Sequence, residues 1–215
     1  MRTFHPRRGR LSGRHLDALD RLRPHLGFRV GSAPLDPVAL FGRAAPLVVE
    51  IGSGMGEATA DLATADPDRD FLAVDVHTPG VANLLAVAAE RGLTNVRVAE
   101  GDALDLFRHQ LAPDSVAAVH VFFPDPWPKA RHHKRRLVQP AHVALLRSRL
   151  RVGGTLHCAT DDAAYAAAML GVLTADPGLS GGVVARPAWR PVTKFEARAV
   201  LAGRSVTDLA FRRSA

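Results

Sequence analysis

Apolar positions change their period along the chain. In residues 1–43 they are sparse: Leu16, Leu19, Leu22 and Leu26 fall on one face of a short helix, and Pro24 limits its length. A Gly/Pro-containing connection then runs to about Arg43. From Pro46 onward, short continuous apolar runs alternate with stretches at helical spacing. Leu47 to Ile51 reads as a strand covered on both faces, and Ala58 to Ala65 as a helix. Phe71 to Val76 is a second strand. Thr78 is the expected N-cap of the next helix, with Pro79 at its first position. Val81, Leu84, Leu85 and Ala88 form that helix's inner face, and Gly92 stops it. Val96 to Ala99 is a third strand, Ala103 to Leu111 a helix, and Val116 to Phe123 a long fourth strand. Pro140 opens a helix with Val143, Leu146 and Leu150 inward, which Gly153-Gly154 should end. Thr155 to Thr160 is a fifth strand, Tyr165, Met169, Val172 and Leu173 mark a helix, and a weaker strand lies near Val206 to Phe211.

This alternation predicts a doubly wound, Rossmann-like α/β fold with a mostly parallel sheet. In such sheets ligands sit beyond the carboxyl ends of the strands, so functional residues should follow each strand. The expected division is a basic arm with a short helix over 1–43 and a single domain over 44–215.

Composition narrows the class. The 215 residues are 47% apolar and 23% charged, enough for one sizeable core. No apolar run is long enough for a membrane span, and the Arg-rich start lacks the apolar stretch of a secretory signal. Cys158 is the only cysteine, so no internal disulfide forms, no metal site is expected, and a reducing cytoplasm fits. The net charge of +7 is mostly arginine, which suits a polyanionic partner or reflects codon bias. The position of the charges separates the two. Arg2, Arg7, Arg8, Arg10 and Arg14 stand in a segment without apolar period, expected to be a mobile arm.

After the first strand comes Glu50-Ile51-Gly52-Ser53-Gly54-Met55-Gly56. Glycines let the backbone turn sharply and approach a ligand. Gly52, Gly54 and Gly56 depart from the dinucleotide fingerprint, which needs its third glycine five positions after the first, where Glu57 stands. Carboxylates at Glu50 and Glu57 disfavour a pyrophosphate and suit a cationic cofactor such as S-adenosyl-L-methionine. Asp75, at the end of the second strand, is placed to accept ribose hydroxyls, and Asp102, after the third, to accept from an adenine amino group. Each has a plainer reading as a cap or loop residue, but all three stand at strand ends in register.

The fourth strand runs into Phe122-Phe123-Pro124-Asp125-Pro126-Trp127-Pro128-Lys129 and then Arg131, His132, His133, Lys134, Arg135 and Arg136. Alternate prolines stiffen this loop and hold Asp125 at the expected catalytic edge. The basic cluster next to it points to phosphate binding rather than a merely solvated face. Trp127 either stacks on a target base or plugs the loop from beneath.

These motifs resemble those of the bacterial tRNA (guanine-N7-)-methyltransferase family. The likeness lies in the Glu50 to Gly56 loop, Asp75-Val76-His77, Pro79-Gly80-Val81, the Phe122 to Arg136 block, Ala159-Thr160-Asp161, and Arg190-Pro191-Val192-Thr193-Lys194-Phe195-Glu196-x-Arg198. Arg7-Arg8-Gly9-Arg10 is similar to the family's N-terminal arm. The resemblance implies a class I S-adenosylmethionine-dependent methyltransferase fold and methyl transfer to N7 of a guanine in the variable loop of tRNA. It makes Glu50, Asp75, Asp102 and Asp125 cofactor positions, with Asp125 also catalytic. Lys129, Asp161, Thr193, Lys194, Phe195 and Glu196 become substrate positions, and Arg131 to Arg136 RNA contacts. Asp75 replaces the family's common Glu, and Ala199 its usual Gly. Whether Asp125 or Glu196 reads the guanine stays open, as does monomer against homodimer; neither DNA nor a membrane is an expected partner. Two other readings are an exocyclic-amine methyltransferase, weakened because Asp125-Pro126-Trp127 lacks a second adjacent proline, and a non-catalytic RNA-binding protein with the same fold.

Overall fold

The computed structural model describes residues 3–4 and 9–215. Arg2, Arg7 and Arg8 of the expected arm lie outside the described residues. The chain divides into two compact units, Pro6–Ala112 and Pro113–Ala215 with Met1–His5.

The first unit opens with α1 (Gly13–Arg21) and α2 (Arg23–Leu26). Ser12 caps α1 by accepting from the His15 amide, so the helix starts inside the stretch expected to be a mobile arm. Arg14, on that helix, pairs with Glu90 and donates to Asn83. The inner position of α1 is Ala18, while Leu16 is exposed, which corrects the four-leucine face. The expected connection contains β1 (Gly27–Arg29) and α3 (Pro37–Phe41). Next come β2 (Leu47–Ile51), α4 (Glu57–Ala65), β3 (Asp70–Asp75), α5 (Thr78–Glu90) and β4 (Val96–Glu100). The unit closes with α6 (Ala103–Asp105) and a π-helical turn over Leu106–Gln110, where a single helix was expected. The strands run in the order β1-β4-β3-β2, all parallel. Every residue of β2 is buried, as its unbroken apolar run predicts. The cap of α5 is His77, not Thr78, whose hydroxyl donates to Glu100 instead (2.7 Å).

The second unit holds β5 (Val116–Phe122), a 3-10 turn over Ala130–Arg135, α7 (Pro140–Arg149), β6 (Leu150–Thr160), α8 (Ala163–Ala175), β7 (Leu179–Val184), α9 (Lys194–Leu201) and β8 (Thr207–Arg213). β5 pairs parallel with β6, and β6, β8 and β7 pair antiparallel in that order. Helix α7 ends before Leu150 rather than at Gly153-Gly154, because β6 has already begun: Val116 pairs with Leu150, and the register then shifts so that Ala118 meets Thr155. The strand β7 was not anticipated, since Ser180-Gly181-Gly182 gives it little apolar signal. Its glycine is required: a Cβ on Gly181 would lie 2.1 Å from the carbonyl oxygen of Ala210 in the paired strand. Within the units four strand pairs are parallel and two antiparallel, the mostly parallel α/β class expected.

Candidate active site

The glycine loop follows β2 in the first unit, where an open α/β sheet presents its ligand edge. Gly52, Gly54 and Gly56 all have positive φ (79°, 59° and 82°), so the loop's path is available only to glycine without strain. Among the described residues a Cβ on Gly52 or Gly54 would meet nothing within 4 Å, which leaves space for a ligand beside both. The loop is tied from three sides. Asp75 accepts from the amides of Gly54 and His77, each at 2.8 Å. Asn83 donates to the Met55 carbonyl at 2.7 Å. Gly80 packs so closely that a Cβ there would lie 1.8 Å from the Gly54 carbonyl oxygen.

Glu50 is buried and accepts from the Thr59 hydroxyl at 2.6 Å. Burial pushes its carboxyl up to about 7; the Thr59 bond opposes the shift and the neighbouring Asp75 adds to it. Burial also raises Asp75, against the backbone amides that favour its ionised form. The first unit therefore holds two carboxyls that bind protons more tightly than usual and would be relieved by a nearby cation. Asp102 caps α6 by accepting from the Leu104 amide (2.9 Å), the plainer of its two readings, and its second oxygen is not used by that bond.

In the second unit β5 leads into the proline loop. Two aromatic residues there have left-handed backbones, Phe123 (φ 53°) and Trp127 (φ 47°), and they bracket Asp125. Such conformations are costly for bulky residues and persist only where the surroundings hold them. The Phe123 amide donates to the Ala159 carbonyl at 2.8 Å, extending the ladder by one bond. Trp127 is 4% exposed and donates to the Thr3 carbonyl at 3.3 Å. The guanidinium of Arg135 lies over its ring at 3.9 Å. Trp127 is thus the plug beneath the loop and not a stacking surface. Asp125 is half-buried within it.

The basic cluster splits by burial. Lys129, Arg131 and Lys134 are exposed, and His132 and His133 half-buried. Arg136 is 5% exposed, donates to the Pro126 carbonyl at 2.8 Å and lies over the Tyr165 ring at 4.6 Å. Arg136 is thus buried as a brace beneath the loop, whereas Arg135 is half-buried and packs over Trp127.

The Thr193–Glu196 segment forms the start of α9. Thr193 is its N-cap and accepts from the Glu196 amide at 3.1 Å. Phe195 stacks on Phe123 with ring centroids 6.2 Å apart, so this segment and the proline loop do meet. Lys194 is exposed. Glu196 is 6% exposed and pairs with Arg190 and Arg186, both at 2.7 Å, so both of its oxygens already accept from arginines. Asp161 pairs with Arg204 (2.9 Å), and the N-cap of α8 is the next residue, Asp162, which accepts from the Tyr165 amide. Sequence reasoning missed the Arg190, Asp208 and His157 cluster behind α9. Arg190 is the one with a signal, as part of the Arg190-Pro191 motif.

A family model described as "Putative methyltransferase" matches residues 44–209. A tRNA (guanine-N(7)-)-methyltransferase of Streptomyces avermitilis is 53% identical over 99% of this chain and 75% of its own length. One of the same name from Aromatoleum aromaticum is 52% identical over 99% of this chain and 83% of its own. The chain belongs to the tRNA (guanine-N(7)-)-methyltransferase family. Among solved structures, the 16S rRNA methyltransferase KamB superposes with a TM-score of 0.62 over 82% of this chain and 92% of its own, at 16% identity. A geranyl diphosphate C-methyltransferase from Streptomyces coelicolor, bound to S-adenosyl-L-homocysteine, gives 0.56 over 92% and 75%, at 14% identity. At such identities these two share the fold alone, and that fold is the one expected of this family member.

Proposed function

We propose that this chain transfers a methyl group from S-adenosyl-L-methionine to N7 of a guanine in the variable loop of tRNA. Its likeness to enzymes of that name across 99% of its length carries the reading. The residues present suit the cofactor. Two carboxyls, Glu50 and Asp75, stand beside a glycine loop with open space at Gly52 and Gly54. The buried Ser53 hydroxyl has no hydrogen-bond partner among the described residues. Acidic groups and no phosphate-binding Lys or Arg in the loop match a ligand carrying an ammonium and a sulfonium.

When bound, the cofactor supplies an electrophilic methyl group. Glu50 and Asp75 hold its cationic groups and sugar, and Asp102 reads the adenine. Guanine N7 has an in-plane lone pair and no proton to lose, so the chain needs no strong base; positioning and electrostatics carry the rate. Asp125 supplies a fixed carboxylate that orients the base and stabilises the positive charge gained by the purine. It takes this role rather than Glu196, whose charge two arginines already neutralise. Lys129, Arg131 and Lys134 meet phosphates, with His132, His133, Lys194 and Phe195 beside them. The Thr193 hydroxyl and Asp161 serve the substrate indirectly, by fixing α9 and Arg204. The methyltransferase machinery occupies residues 44–215, the basic arm adds RNA contacts, and the cytoplasm is the compartment this reading implies.

Unmodified tRNA incubated with methyl-labelled S-adenosylmethionine should acquire 7-methylguanine at one variable-loop position, mapped by nucleoside mass spectrometry. Label in an exocyclic amine, or none, overturns the reading. Asp125→Ala should lower turnover by about tenfold or more with tRNA affinity nearly intact; turnover equal to wild type removes Asp125 from catalysis.

A further inference from the structure

We infer that Arg190 is a positioning residue for methyl transfer: one buried guanidinium fixes the proline loop and the start of α9 to each other. This rests on the proposed function and adds a residue to which no role in it has been given.

Arg190 is 0% exposed. All three nitrogens of its fork donate. Nη1 and Nη2 donate to the two oxygens of Glu196 at 2.7 and 3.1 Å. Nε and Nη2 donate to the two oxygens of Asp208 on β8 at 2.8 and 3.0 Å. Asp208 also contacts Nε2 of His157 on β6 at 2.7 Å, so one end of the network is anchored on two paired strands. Burial works to raise the Asp208 carboxyl, but the bonds from His157 and Arg190 outweigh it and its pKa is lowered. The other end holds Glu196 in the first turn of α9, and with it Thr193, Lys194 and Phe195.

The guanidinium also touches the loop that carries Asp125. Its Cζ lies 5.7 Å from the Phe122 ring centroid and 5.9 Å from that of Phe123, the residue whose backbone turns left-handed into the loop. Phe195 stacks on the same Phe123. The two segments expected to hold the guanine and its neighbours therefore meet on one side chain.

Stability alone does not account for this arrangement. A buried ion cluster contributes little beyond what well-packed apolar residues would, because desolvation offsets the Coulombic gain. What it supplies is geometry, since a planar fork fixes two carboxylates at once. Lysine keeps the charge but is a point donor that cannot hold both bidentately.

Arg190→Lys tests this through four readouts: turnover on unmodified tRNA, KM for tRNA, calorimetric Kd for S-adenosylmethionine and the melting temperature, with kinetics taken well below melting. A misplaced constellation should lower kcat by about tenfold or more. Cofactor Kd should change much less than kcat, since of the expected cofactor carboxyls only Asp125 lies on the loop that Arg190 fixes while Glu50, Asp75 and Asp102 belong to the other unit, and KM for tRNA should move less than kcat. A folded variant with kcat within about twofold of wild type overturns the inference, as does a loss of cofactor affinity in parallel with kcat, which marks general loosening. If Arg190→Lys does not fold, Glu196→Gln decides by the same outcomes. It keeps the side-chain shape and one acceptor, and should lose about fivefold in kcat. A wild-type protein that does not methylate tRNA overturns the proposed function, whereas an active wild type with unaffected variants overturns only the role of Arg190.

Discussion

Glu50 shows how a residue's chemistry depends on its surroundings. Read along the chain it is an acid beside glycines, ionised like any exposed glutamate. Folded, it is 4% exposed, and burial moves its carboxyl from 4.5 to about 7. The folded protein binds this proton more tightly than the unfolded chain, so stability falls as pH rises from about 4.5 to 7 and stays reduced above it, by about 3 kcal/mol in order of magnitude. A bound cation favours the ionised form. Affinity for S-adenosylmethionine should therefore fall as pH drops below about 7, with proton uptake by the released enzyme measurable in buffers of different ionisation enthalpy. Glu50→Gln should melt higher than wild type at pH 8 and bind the cofactor at least about tenfold more weakly, each checked by thermal unfolding and calorimetry. A variant that melts lower at pH 8 would show that the Thr59 bond outweighs desolvation.

Among the elements, the glycine loop and the helix behind it, α5, depend on each other. Gly80 occupies the first turn of that helix, where alanine would ordinarily favour the helix by about 1 kcal/mol. Here its Cβ would lie 1.8 Å from the Gly54 carbonyl oxygen, a backbone atom that cannot swing aside. Overpacking of that kind costs about 1–3 kcal/mol and wins. Gly80→Ala should lower the melting temperature and weaken cofactor binding together, because the displaced atom belongs to the loop itself; unchanged Kd would mean that the loop shifts without consequence. This coupling was not visible in the sequence, which shows Pro79-Gly80-Val81 only as a helix start. The strands β2 and β5 were visible because continuous apolar runs report burial on both faces directly. β7 was not, because its pairing rests on backbone bonds to β8 and on glycines that let the strands approach.

For the molecule as a whole, the +7 charge acquires meaning from where the arginines go. Many are spent internally: Arg190 and Arg136 are buried, Arg135 covers Trp127, and Arg14 and Arg204 are in ion pairs. The exposed Arg131 and Lys134 remain candidates for phosphates. Each phosphate neutralised adds roughly 0.7–0.9 to the slope of log affinity against log salt. Arg131→Ala with Lys134→Ala should flatten that slope by about 1–2 and weaken tRNA binding, measured by filter binding from low to physiological salt. Arg136→Ala should leave the slope unchanged and lower the melting temperature, since it removes packing on Tyr165 and a bond to the loop. The opposite pattern would return Arg136 to the RNA-binding face.

The sequence by itself determined the alternation of strand and helix, the loop of three glycines, and the family. Those are written in local period, in residues that adopt positive φ without strain, and in motifs long enough to be specific. It also made the constrained proline loop legible, because Pro, Asp and aromatic residues at fixed spacing restrict the backbone wherever it lies. Only the tertiary structure decided which charged residues of the motifs face outward. Glu196 and Arg136 look like ligand contacts in a string of letters. They prove to be internal braces because β8, Tyr165 and Arg190 approach them from distant parts of the chain. Burial and charge pairing depend on those long-range neighbours, and no local pattern records them.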